Sequence, residues 1–293
     1  MAYPMLENAL GEYYYFDGRM ISAQSDEAKE LLLPTDAVTY YETVRVKDSV
    51  LLYIEDHLNR LMRSVKGIEA FEVDTDVILE KCIFFIKNCA YDTSSANLRI
   101  VLTKDHLLLH ICEANIPPVE LKAEGIVTNI LNWERVDPNI KVFRGDYKKA
   151  VAERFDSVGL YGKPYEVLLT DRNNKLYEGS KSNLFVIIDD EVYSAPDSKI
   201  LIGITRRRVL DSLQASGANL NIGTYSLEEL TALKSKHNVA LFVSSTPFDI
   251  LPVRFVEETE FDSGNNSMLK KIAASYQKAT DEYISKAKSK YGI

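Results

Sequence analysis

The sequence predicts an α+β protein in two parts. Three features point there. Strand–turn–strand signals open the chain, helical apolar spacing follows them, and a proline pair then breaks the pattern before a second set of strands begins. The composition, 46% hydrophobic and 27% charged over 293 residues, suits one large domain or two smaller ones.

Taken in order, Tyr13–Phe16 and Arg19–Ile21 flank Asp17-Gly18, a strong hairpin signal. Tyr40–Val46 alternates as a strand, Lys47–Ser49 turns, and Val50–Ile54 returns. Leu58, Leu61, Met62, Val65 and Ile68 recur at helical spacing. A second helix is expected over 76–87, with Val77, Ile78, Cys82 and Phe85 facing inward. Leu98–Leu102 and Leu107–Ile111 read as a hairpin around Lys104-Asp105. Pro117-Pro118 marks the best linker, so we divide the chain into 1–116, a linker at 117–122, and 123–293. Beyond it come a strand at 125–131, a helix at 147–158 and a strand at 165–171. The turn Arg172–Asn174 and another strand at 184–188 follow. Thr205–Ala215 is amphipathic, Ser226 with Glu229 opens a short helix in capping-box fashion, and 239–243 and 251–253 are strand-like. A long helix over 268–288 closes the chain.

A net charge of -8 argues against nucleic acid as the main partner. Three cysteines, Cys82, Cys89 and Cys112, have no metal spacing and suit free thiols in a reducing compartment. No signal peptide or membrane-length apolar run is visible, so a cytoplasmic location is expected. Four scattered histidines, no His-Glu-x-x-His and no phosphate loop ending in Gly-Lys-Ser/Thr leave no metal or nucleotide motif.

The chemistry-bearing stretch is Tyr177-Glu178-Gly179-Ser180-Lys181-Ser182-Asn183-Leu184-Phe185. A carboxylate, a glycine permitting a tight or positive-φ backbone, and small polar residues sit together at the end of a hairpin. It is followed by Gly203-Ile204-Thr205-Arg206, opening a helix, then by Ser244-Ser245-Thr246-Pro247. It is preceded by Glu55-Asp56-His57-Leu58-Asn59-Arg60-Leu61. This ordered set, running from about Tyr14 to Val253, resembles the class IV aminotransferases of fold type IV. Branched-chain aminotransferase, D-amino-acid aminotransferase and aminodeoxychorismate lyase belong to that family.

The resemblance implies pyridoxal 5'-phosphate as cofactor, bound in the cleft between a small N-terminal α/β sandwich and a larger, β-barrel-like C-terminal domain with helices. It implies a homodimer. Lys141, in Asp137-Pro138-Asn139-Ile140-Lys141, takes the position of the family lysine that forms an imine with the cofactor. Lys148 and Lys149 compete, though two lysines entering a helix suit a solvated face better. The following Val142–Asp146 stretch departs from the family pattern. Glu178 matches the carboxylate facing the pyridine nitrogen, and the resemblance makes Ser182 and Asn183 beside it cofactor-binding residues as well. Arg60 matches the arginine that grips the phosphate, with His57 on the same helix face. Ile204, Thr205, Ser245 and Thr246 match the remaining phosphate contacts, and Pro247 removes one backbone donor. Tyr147 would reach the phenolic oxygen of the cofactor, one residue out of the family spacing. Tyr41, Arg45 and Arg99 lie where relatives bind substrate, and Arg99 in Asn97-Leu98-Arg99 resembles the branched-chain pattern. The arginine-x-histidine clamp of D-amino-acid enzymes is not evident; Thr103–His106 stands there. The activity implied is transfer of an amino group from an amino acid, a branched-chain-like L-amino acid favoured, to a 2-oxo acid. The alternatives are a lyase releasing pyruvate and 4-aminobenzoate, and a non-catalytic relative.

Overall fold

The computed structural model describes residues 3–66, 74–114, 116–142 and 144–292. The chain divides into two compact units. Met1–Asn115, Ile140–Gly145 and Thr280–Ile293 form the first; Ile116–Asn139 and Asp146–Ala279 form the second.

The first unit is built on a six-stranded antiparallel sheet in the order Arg19–Ser22, Ala9–Phe16, Leu107–Cys112, Ser95–Leu102, Tyr40–Lys47, Val50–Leu51. One face packs against the helices Ile54–Val65 and Thr75–Asn88. Val44, Val46, Leu98 and Ile100 from the strands meet Leu58, Leu61 and Phe85 from the helices. Side chains along a strand alternate in direction, so Glu42 falls on the side of Tyr40, Val44 and Val46. Tyr41, Thr43 and Arg45 project to the other side. There Arg99 pairs in register with Thr43 on one flank and His110 on the other.

The second unit carries a ten-stranded sheet. Six of its strands run in the order Asn183–Ile188, Val239–Ser245, Asp249–Val256, Ile126–Asn132, Glu166–Thr170, Lys175–Gly179. Lys175–Gly179 also pairs with Asn183–Ile188, through Glu178 opposite Asn183, and this closes the path into a barrel. Closure leaves those strands no free edge. The hairpin singled out in the sequence is therefore the seam of the barrel. Leu168, Leu184, Leu241, Val243, Leu251 and Val253 fill one core cluster, and Phe185 stacks on Phe242 with ring centroids 4.7 Å apart in another. The helix Ile204–Ala215 contributes Val209 and Leu213 to that second cluster.

Several expectations need amending. Ile140–Gly145 and Thr280–Ile293 belong to the first unit, although the sequence division put both in the second. The stretch expected as a linker runs into a helix, Val119–Glu124, capped by Pro118, whose missing N–H costs nothing at a helix start. In the helix Thr75–Asn88, Val77 is exposed and Ile86 is buried instead, because the buried stripe runs through Ile78, Cys82 and Phe85. Ile68 and Phe143 lie outside the described residues. Among the described residues no helix is long and apolar enough to cross a membrane, and all three cysteines are buried free thiols.

Candidate active site

Lys141 lies in the segment that joins the first unit. Its carbonyl accepts from Tyr41 N–H at 3.4 Å, and the next residue, Val142, bridges to Tyr40. These contacts hold the lysine against the end of the strand Tyr40–Lys47. Its Nζ lies 4.5 Å from the centroid of the Tyr41 ring, and the Arg99 guanidinium lies 5.0 Å from the same centroid. Lys141 is half-buried, and desolvation of its amine moves its pKa below the ordinary lysine value. Arg60 and Arg99 push it the same way, while Tyr41 and Glu42 oppose them.

Behind it sits a buried ion cluster. The helix Ile54–Val65 puts His57 and Arg60 on one face, and both point at Glu42. Arg60 donates from Nε to Glu42 Oε1 at 2.7 Å and from Nη2 to Oε2 at 2.6 Å, a two-pronged pair. His57 Nδ1 is 2.8 Å from Glu42 Oε2; a carboxylate only accepts, so the hydrogen is on Nδ1. Burial alone would push the Glu42 carboxyl up. The Arg60 charge and the hydrogen bonds from Arg60 and His57 outweigh burial and hold it down at about 2. Burial moves His57 the other way, below the ordinary histidine value, against the pull of Glu42.

In the second unit, Glu178 is almost fully buried. Its Oε2 accepts from Leu201 N–H at 3.1 Å, and its Oε1 lies 2.8 Å from Arg135 Nε. Arg135 also donates to the Ser180 carbonyl at 2.8 Å and to Tyr147 Oη at 3.0 Å, and Tyr147 Oη donates to the Ser180 carbonyl at 2.7 Å. Asn183 donates to the Leu201 carbonyl at 2.9 Å. A Cβ on Gly203 would meet Asn183 Oδ1 at 2.3 Å, so only glycine lets the helix start come this close to the barrel seam. Gly203 caps the helix Ile204–Ala215 without a side chain, and the first-turn N–H groups of such a helix favour an anion. Thr205 Oγ1 and Thr246 Oγ1 are 3.5 Å apart, and Ser245 Oγ donates to the Lys181 carbonyl at 2.5 Å. The neighbouring Ser244 hydroxyl is buried and finds no hydrogen-bond partner among the described residues.

A family model described as "Amino-transferase class IV" matches residues 39–256. The chain belongs to the class IV aminotransferases. An aminodeoxychorismate lyase of Bacillus subtilis is 21% identical over 291 residues, covering 92% of this chain and 95% of the relative. A D-alanine aminotransferase of Staphylococcus epidermidis is 21% identical over 265 residues, covering 83% and 87%. Among solved structures, a branched-chain aminotransferase of Thermoproteus uzoniensis with norvaline matches at a TM-score of 0.75 and 18% identity, over 95% of this chain and 98% of the other. Enzymes of this class depend on pyridoxal phosphate, and the fold is fold type IV.

The class IV residues expected from the sequence thus separate into sets. Lys141, Tyr41 and Arg99 come together, with Arg60 close enough to act on the lysine. Glu178, Asn183, Ile204, Thr205, Ser245, Thr246 and Tyr147 belong to the seam and its neighbouring loops. Arg45 does not join the first set. It is buried, donating to the Ala96 carbonyl at 3.1 Å and to Ser95 Oγ at 2.7 Å, four residues along the strand from Tyr41, about 13 Å. Ser182 turns its hydroxyl onto Glu166 at 2.8 Å. Gly179 has an ordinary φ; its requirement is space, since a Cβ there would lie 2.0 Å from Ser182 Oγ. Lys149 is exposed, on a helix, Gly145–Asp156, that buries no residue.

Three residues that build these sets were not singled out in the sequence. Glu42 and Glu166 had a signal: each is a carboxylate at an apolar position, one on the core side of an alternating strand, one inside the run Tyr165–Leu169. Arg135 had none, because nothing in a loop pattern tells which side chain folds back onto the seam.

Proposed function

We propose that this chain is a pyridoxal-phosphate-dependent aminotransferase that takes an L-amino acid with a branched-chain-like side chain as donor and a 2-oxo acid as acceptor. The observation that carries the reading is the shared Tyr41 ring, with the Lys141 amine and the Arg99 guanidinium both within about 5 Å of its centroid. That arrangement sets a base for the Cα proton beside a cation for a carboxylate. When bound, pyridoxal phosphate supplies an aldehyde that condenses with amines and a ring that draws electrons from the substrate Cα.

The residues present fit this group. Lys141 offers an amine whose charged form is disfavoured, so it holds its neutral form nearer working pH and accepts a proton at Nζ. Glu178 offers a buried carboxylate for the pyridine nitrogen. The open first turn at Ile204 and Thr205, with Thr246 and the unpartnered Ser244 hydroxyl nearby, offers donors for a phosphate. Within the first unit, Arg60, fixed by Glu42, carries a positive charge suited to an anion. Tyr147 and Arg135 hold the Ser180 carbonyl and so steady the turn that carries Glu178.

The preference for an L-amino acid rests on Arg99 and His110. The sheet register sets this arginine and histidine side by side. Burial, aided by the Arg99 charge, pushes His110 down to about 3, so it is neutral and adds no cation for a carboxylate. A D-type clamp of two cations is therefore not supported. A homodimer is part of the reading. Leu32, Leu33 and Val38 are 54%, 63% and 60% exposed on the first unit, apolar side chains that a second copy would cover. Three free thiols suit a reducing cytoplasm.

The long match to aminodeoxychorismate lyase supports a second reading, in which the same residues release pyruvate and 4-aminobenzoate. One assay separates the two. Purified protein with pyridoxal phosphate is given L-leucine or L-valine with 2-oxoglutarate, and separately aminodeoxychorismate. Formation of branched 2-oxo acid supports the aminotransferase. Pyruvate and 4-aminobenzoate from aminodeoxychorismate alone would replace it with the lyase. No turnover of either would leave a non-catalytic relative.

A further inference from the structure

Glu166 is fully buried in the strand Glu166–Thr170, and no cation pairs with it among the described residues. It is held by four hydrogen bonds from neutral donors. Its Oε1 accepts from Val167 N–H at 2.7 Å, Ser180 N–H at 3.2 Å and Ser180 Oγ at 2.5 Å; its Oε2 accepts from Ser182 Oγ at 2.8 Å. A buried carboxylate is tolerated when donors satisfy it in this way.

We propose that Glu166 is a positioning residue that sets the shape of the turn from Glu178 to Asn183, and that Ser182 serves the cofactor through Glu166 and not as a phosphate donor. The inference rests on the cofactor reading above. Each serine hydroxyl has one proton, and a carboxylate can only accept. Ser180 and Ser182 therefore spend their hydroxyl protons on Glu166 and present only lone pairs elsewhere. A phosphate needs donors, so these hydroxyls are the wrong way round for it.

The same carboxylate shapes the rest of the turn. It packs against Gly179, where a Cβ would lie 3.0 Å from Glu166 Cδ and 2.0 Å from Ser182 Oγ. Ser180, pinned to Glu166 from one side, offers its carbonyl to Arg135 and Tyr147 on the other. Glu178 immediately precedes Gly179, and Asn183 immediately follows Ser182 and closes the barrel opposite Glu178. A shift of the serines is thus passed to the carboxylate expected at the pyridine nitrogen.

The test is a titration of the apoprotein with pyridoxal phosphate and, in parallel, with pyridoxal, which lacks the phosphate. Wild type, Glu166→Gln and Ser182→Ala are compared. The dissociation constant, the pH midpoint of the bound cofactor's absorption band and the Tm of the apoprotein are read for each. Gln keeps the volume but turns one acceptor into a donor facing Ser182. We expect Glu166→Gln to weaken both ligands by about tenfold, the size of one lost charge-assisted hydrogen bond, and to move the pH midpoint. Ser182→Ala weakens both ligands by a common factor, and it decides the matter alone if Glu166→Gln does not fold. A Glu166→Gln protein with a lowered Tm but wild-type affinity and midpoint would overturn the proposal in favour of a merely structural carboxylate. A loss in Ser182→Ala confined to the phosphorylated ligand would overturn it in favour of a direct phosphate contact. If wild type binds neither ligand, the cofactor reading falls and this inference falls with it.

Discussion

Glu42 in the first unit and Glu166 in the second are both fully buried, and their oxygens are satisfied by opposite means. Glu42 faces two basic side chains: the Arg60 fork takes both its oxygens, and His57 adds a third bond. Among the described residues, Glu166 accepts only from backbone N–H groups and serine hydroxyls. The difference follows from what stands nearby. An arginine fixed by a carboxylate still carries its positive charge and can serve an anion, so Glu42 orients a charged group. A serine fixed by a carboxylate has given up its proton, so Glu166 orients a backbone turn. One carboxylate prepares a cation; the other prepares a shape.

The largest effect expected from breaking either region is at the lysine that Arg60 and Glu42 flank. Lys141→Met should lower transamination by about 10²–10⁴-fold, the usual weight of a positioned acid–base group, without lowering the Tm. Single-turnover absorbance with L-leucine checks this; activity within a few-fold of wild type would remove Lys141 from its role.

Next is stability. Glu42→Ala leaves the Arg60 guanidinium buried without its carboxylate and should cost about 3–5 kcal/mol. Glu166→Ala removes the acceptor oxygens, leaving neutral donors unmet, and should cost about 1–3 kcal/mol. Urea unfolding of both apoproteins measures the pair. A Glu166 variant as damaged as the Glu42 variant would erase the distinction between the two regions.

A further effect is the response to pH. Glu42 is depressed from 4.5 to about 2 in the folded state. Its contribution is complete above 4.5 and is lost as pH falls towards 2. His110 is depressed from 6.5 to about 3, so it stays neutral while the unfolded chain takes up protons, and His57, also depressed, resists protonation in the same direction. Their contribution is complete above 6.5 and is lost as pH falls below it, with a slope of up to about 1.4 kcal/mol per pH unit for each. Stability measured from pH 7 to 4 should therefore fall before Glu42 begins to titrate, and His110→Gln should flatten that early fall. A profile level down to pH 5 would contradict it.

Much of this was legible in the sequence. The hairpins, the break near the proline pair and the capping box at Ser226 follow from local chemistry, and the structure contains each. His57 and Arg60 share a target because helical spacing puts them on one face. What could not be read was pairing at a distance. Nothing local tells that Glu178 meets Asn183 to close a barrel, or that the segment holding Lys141 leaves its sequence neighbours to lie along Tyr40 and Tyr41. Arg45 and Arg99 alternate identically in their strands; only the register shows that Arg99 reaches the Tyr41 ring while Arg45 is consumed by Ser95 and Ala96. Ser182 is legible as a small polar residue close to Glu178, but the direction of its hydroxyl depends on Glu166, a strand away.

The most direct measurement of the central claim is borohydride reduction of the protein loaded with pyridoxal phosphate, followed by peptide mapping of the label. The account predicts a single label on Lys141. A label on Lys148 or Lys149, or none despite saturating cofactor, would contradict it.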